Sequence, residues 1–166
     1  MDFFNYTQNW IKGELFEATI ISIFSILLIV SGVLFWKFGT TPSSKSLILP
    51  LIVVGFIFIS AGTSMYFSNK KRLIEYKERY TKNKSEFVME EKQRVEGFQY
   101  MYTVTKVIAT LSFIITLIAF WFTKNYTFQG IALGFAILGT SGLVIDYFSE
   151  ERANTYYKRI ELALDK

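Results

Sequence analysis

The 166-residue chain has no cysteine and no histidine. That excludes disulfides, thiolate or imidazole metal sites, Cys or Ser–His nucleophiles and any histidine general base. Only carboxylate chemistry would remain, and no paired acids fall at helical spacing inside an apolar run. The chain therefore reads as a non-enzyme, with no cofactor and no metal expected. Charge is scarce as well, at 19% of residues against 51% apolar, and the mean hydropathy is +0.30. One domain of this size would be too apolar for water, which places the chain among membrane proteins.

Four runs are long and apolar enough to cross a bilayer as helices: about 19–36, 47–67, 103–122 and 128–148. Lysine and arginine are spread unevenly between them. Lys70, Lys71, Arg72, Lys77, Arg79, Lys82, Lys84, Lys92 and Arg94 all fall between the second and third runs. Only Lys37, Lys45 and Lys124 occupy the two short loops at the opposite end. The positive-inside rule then predicts both termini and the central segment in the cytoplasm. Trp36 and Trp121 are expected at the outer interface, and Tyr66, Tyr102 and Tyr147 at the inner one.

The expected fold class is all-α: a polytopic membrane protein with four transmembrane helices and a helical cytoplasmic stalk. Residues 1–18 mix Phe3, Phe4, Trp10, Ile11, Leu15 and Phe16 with polar residues. They read as an interfacial helix on the cytoplasmic side and not as a cleavable signal. Residues 19–68 form a first transmembrane hairpin, 69–102 the stalk, 103–148 a second hairpin and 149–166 a tail helix. The halves echo one another: Phe35-Trp36 with Phe120-Trp121, and Tyr66-Phe67-Ser68 with Tyr147-Phe148-Ser149. That describes two hairpins of the same orientation and argues against an inverted-repeat transporter. No proline or glycine interrupts residues 69–96, so the spans are expected to continue as helices, with a turn in 81–85.

Three features are candidate sites. Lys106 and Asp146 lie at similar depth in the third and fourth spans, where charges are expected to pair, as a clasp or as a gate. Small residues recur at helical spacing (Ser22, Ser25, Gly32; Gly55, Gly62; Gly130, Gly134), which serves close helix packing by default and a pore wall otherwise. Lys70, Lys71, Arg72, Tyr76, Lys77, Arg79, Tyr80, Lys82 and Lys84 combine positive charge with aromatic rings, and Lys158 and Arg159 add a second patch beside Tyr156 and Tyr157. With Arg72, Tyr76, Arg79 and Tyr80 on one helical face, such a surface is expected to hold a single-stranded nucleic acid or nucleotide, or anionic membrane lipid. Glu86, Glu90 and Glu91 read as part of a solvated helix face.

Size, four spans, both ends inside and the basic, tyrosine-rich stretch at 70–84 together resemble the small channel effectors of bacterial antiphage defence, notably the Hailong membrane effectors. The resemblance implies a homo-oligomer, a tetramer by analogy, in a bacterial inner membrane, gated by an anionic, oligonucleotide-like ligand on the basic stalk. A different class shares the same outline: four-span immunity proteins that block a pore-forming toxin through helix contacts within the membrane.

Overall fold

The computed structural model describes residues 2–165. They form four long helices: α1 (Phe3–Phe38), α2 (Pro42–Lys82), α3 (Lys84–Phe122) and α4 (Tyr126–Leu164). Each is long and apolar enough to cross a membrane. At 1.5 Å per residue, a helix of 39 residues measures about 58 Å, roughly twice the hydrocarbon thickness of a bilayer. Each helix therefore has an apolar half and a polar half.

The boundaries follow local chemistry. Thr41 caps α2 by accepting from the Ser44 amide at 3.2 Å, and Pro42 takes the first turn, where its missing N–H costs nothing. Asn83 alone separates α2 from α3, within the expected turn. Its side chain accepts from the Glu86 amide at 3.2 Å and donates to the Glu86 carboxylate at 3.0 Å. Asn125 caps α4 through the Thr127 amide at 2.9 Å.

The chain forms two hairpins, α1 with α2 and α3 with α4, joined mainly through α4, which also packs on α2 and α1. In the apolar half Ile21 and Leu28 pack on Leu51, Val54 and Phe58, with Ile137, Leu138 and Ile145 against them. The small residues are taken up by these contacts. A Cβ on Gly55 would come within 2.5 Å of Ile29, and one on Gly134 within 2.8 Å of Pro50. Pro50 offers no N–H to Ser46, and the Ser46 carbonyl lies against Gly130, where only a hydrogen leaves it room. α3 is the outlier. Only 11% of its most apolar stretch is buried, against 28% for α1 and α2.

The N-terminal expectation needs correction. Residues 3–18 are not a separate interfacial helix; they are the first turns of α1, without a break. Thr7, Ile11 and Ala18 are fully covered, because the polar half is itself a four-helix bundle. Phe3, Trp10 and Ile11 from α1, Tyr76 and Tyr80 from α2, Phe87, Val88 and Val95 from α3, and Tyr156 and Ile160 from α4 make its core. The tail at 149–164 likewise continues α4.

Candidate ligand face and buried charge layer

Outside the polar bundle lies the basic surface. Lys70, Lys71, Lys77, Lys82, Lys84, Lys158 and Arg159 are exposed, and Lys71 is offset by Glu75 at 3.5 Å. Lys84 and Arg159 meet at the far tip, around a cavity of about 580 Å³ whose walls include Asp2, Tyr6 and Tyr80. The two basic patches seen in the sequence thus converge there, while Lys70 and Lys71 lie at the other end of the basic stretch, near the apolar half.

The aromatic part of the expected face is not on the surface. Tyr76 and Tyr80 are 4% and 8% exposed, edge-on to Phe87 at 5.2 and 5.6 Å. Ile74, on another face of the same helix, is 67% exposed. A tyrosine ring buries more apolar area than the site's own lysines can offer, so the amphipathic phase of α2 turns Tyr76 and Tyr80 inward and Ile74 out. Arg79 is held by Glu90, and Arg72 is half-buried, donating to Asn69 at 3.2 Å. What remains for a ligand is an array of lysines with Arg159, without Tyr76 or Tyr80 as stacking platforms.

The pair expected within the third and fourth spans is also different. Lys106 bonds Glu150 at 2.9 Å, one helical turn beyond Asp146, whose buried Oδ2 has no hydrogen-bond partner among the described residues. A lysine stem is long enough to carry its ammonium toward the polar end, where Glu150 is better hydrated. Tyr102 turns inward to Ser149 at 3.3 Å, whereas Tyr147, Trp36 and Trp121 are exposed as an aromatic belt requires.

Inside the polar bundle is a layer of buried charge, although the sequence pattern assigns part of it to solvent. Glu91, 2% exposed, takes two bonds from Arg94 at 2.9 and 2.7 Å and a third from the Tyr156 hydroxyl at 2.9 Å. Thr7 lies 2.9 Å from the same hydroxyl, and the Arg94 guanidinium is 4.3 Å over the Trp10 ring. A turn closer to the apolar half, Arg152 bonds Glu14 at 3.0 Å and also reaches Glu17. A Cβ at Gly13 would lie 2.9 Å from the Arg152 stem, so glycine leaves the path for that arm. Glu14, Glu17 and Glu91 are matched in number by Arg72, Arg94 and Arg152, with every helix contributing.

Burial sets the protonation of this layer. It pushes the Glu14 carboxyl above its ordinary value, although Arg152 pulls the other way. Tyr76 is pushed up to about 12 by burial and then by the Glu91 charge. Tyr156 moves up for the same two reasons. For Arg94, burial works against the charge, but the bonds and charge of Glu91 outweigh it and hold the guanidinium ionised.

No known protein family, curated protein or solved structure matches this chain.

Proposed function

We propose that the protein is an oligomeric membrane channel whose open and closed states are biased by an anionic, oligonucleotide-like ligand on the exposed lysines of the polar bundle. One observation carries this reading: the basic face and the spans are the same pieces of helix. α2 runs unbroken from Pro42 to Lys82, so a ligand drawing together Lys70, Lys71, Lys77 and Lys82 of neighbouring copies moves the spans with them. The buried charge is balanced, which leaves the net positive charge on the surface. A ligand then acts through its difference in affinity for the two arrangements.

The conducting surface is sought among polar residues not used for packing. Ser60, Thr63 and Ser64 on α2 are exposed, as are Thr103, Lys106 and Thr110 on α3. The resemblance to antiphage effectors supports a defence role in a bacterial inner membrane, with both termini in the cytoplasm by the positive-inside count.

A second reading has its own support. The glycine faces are consumed within one chain, and the apolar half of α3 packs against little but α4. A protein that blocks a pore-forming toxin through its uncovered third span fits that arrangement. Detergent-corrected mass and planar-bilayer conductance, with and without a single-stranded oligonucleotide, decide between them. A defined oligomer whose conductance responds to the oligonucleotide upholds the channel. A silent monomer that ignores it leaves the toxin-blocking reading.

A further inference from the structure

α1 and α4 touch less closely than either touches α2, and their seam holds two grooves, one above the other. The lower one, about 540 Å³, lies in the apolar half and is walled by Ile20, Phe24, Ile137, Val144 and Ile145. The upper one, about 340 Å³, starts a single turn beyond Val144 at Phe148 and climbs past Trp10 and Arg152 to Arg159. Apolar walls thus give way to polar ones where the helices leave their apolar stretches.

Two buried donors in the wall of the upper groove are unanswered. Trp10 is 6% exposed, and its Nε1 has no hydrogen-bond partner among the described residues; the same holds for Nε of Arg152. Both groups can only donate, so only an acceptor satisfies them. Arg159, exposed and 4.8 Å over the Tyr6 ring, makes no ion pair among the described residues. Arg152 is already paired by Glu14 and Glu17, and Glu151 shares the wall, so the two unanswered N–H groups call for oxygen acceptors and Arg159 for the negative charge they carry. The groove below calls for hydrocarbon attached to it.

We propose that the α1–α4 seam binds one membrane phospholipid. Its phosphodiester accepts from Trp10 and Arg152 and faces Arg159, and an acyl chain descends past Phe148 between Ile20 and Val144. The headgroup then adds to the α1–α4 contacts that Arg152 makes with Glu14 and Tyr156 with Thr7. This site is independent of the lysine face and stands or falls without the channel reading.

Native mass spectrometry of the delipidated protein, titrated with dioleoyl phosphatidylglycerol, tests it. One lipid per chain is expected. Trp10→Phe keeps an aromatic ring, smaller than the indole, and removes the donor, and should weaken binding about three- to tenfold. Arg159→Gln, at an exposed position that leaves the fold intact, should weaken it at least as much. Ser141→Leu, which fills the lower groove, should abolish it. Equal lipid retention by all four proteins overturns the proposal. So does displacement of the lipid by millimolar inorganic phosphate, which would mark a free-anion site, or equally tight binding of dioleoylglycerol, which would mark an apolar groove with no headgroup recognition.

Discussion

The hydroxyl of Tyr156 and the carboxylate of Glu91 meet at 2.9 Å in the middle of the polar bundle, joining α4 to α3 where neither group reaches water. Thr7 brings α1 to the same hydroxyl, and the Tyr76 phenol, pushed up partly by Glu91, brings in α2. A buried carboxylate is tolerable only while its donors remain. Removing one donor costs less than removing the acid, since without the acid Arg94 is stranded. Tyr156→Phe is expected to lower stability by about 1.5–3 kcal/mol, and Glu91→Ala by about 3–5 kcal/mol. Thermal unfolding in detergent ranks the two, and a Glu91→Ala variant no worse than Tyr156→Phe would contradict this account of the layer.

Glu14 gives the layer a dependence on pH. Its folded-state pKa is raised above the ordinary 4.5, chiefly by burial, so the folded protein holds this proton more tightly than the unfolded chain. The group's contribution to stability is then full below 4.5 and lost as pH rises through the raised value. Arg152, Arg94 and Arg72 oppose the rise without cancelling it. The wild type should melt at a higher temperature near pH 5 than a Glu14→Gln variant's own pH trend accounts for. Parallel melting curves for the two proteins between pH 5 and 8 would remove Glu14 as the cause.

Two glycines make opposite predictions. Gly97 lies mid-helix in α3 with nothing within 4 Å of the place its Cβ would occupy, so Gly97→Ala removes only backbone freedom. It should stabilise by about 0.5–1 kcal/mol. Gly134 faces Pro50 at a distance no Cβ tolerates, and Gly134→Leu should force α4 off α2 at a cost of about 1–3 kcal/mol or more. Denaturant midpoints for both variants check the pair together.

Helix number and type were legible because four apolar runs leave little choice, and the turn in 81–85 because Thr81, Asn83 and Ser85 gather there between segments rich in helix formers. The phase of the polar halves was harder to read. On α3, Glu91 falls between Phe87 and Val95 on one helical face, and on α1, Glu14 falls between Ile11 and Ala18. Those apolar neighbours were the available signal that both acids point inward. It was obscured by the nearby Glu86 and Glu90, which do face water, and by the partners Arg94 and Arg152, of which Arg152 lies 138 positions away from Glu14. Tyr76 and Tyr80 misled for a related reason. A ring that stacks on bases and a ring that packs in a core leave the same letter, and only the third and fourth helices around it decide which it is.

The inward turn of those tyrosines changes what the lysine face can recognise. With neither Tyr76 nor Tyr80 free to stack on a base, affinity of the 70–84 face for a polyanion should come from charge and be indifferent to base identity. Neutralising Lys70, Lys71 and Lys77 together as glutamines should then weaken binding of a single-stranded oligonucleotide at 50 mM salt. It should also flatten the slope of log K against log salt by about 0.7 for each phosphate that is no longer neutralised. Tyr80→Phe, which keeps the buried ring, should leave both affinity and slope unchanged. Fluorescence anisotropy across a salt series reads all of this in one experiment. If Tyr80→Phe weakens binding as the triple variant does, the tip cavity near Lys84 and Arg159 is the true seat of the ligand, and the lysines of α2 serve the membrane surface instead.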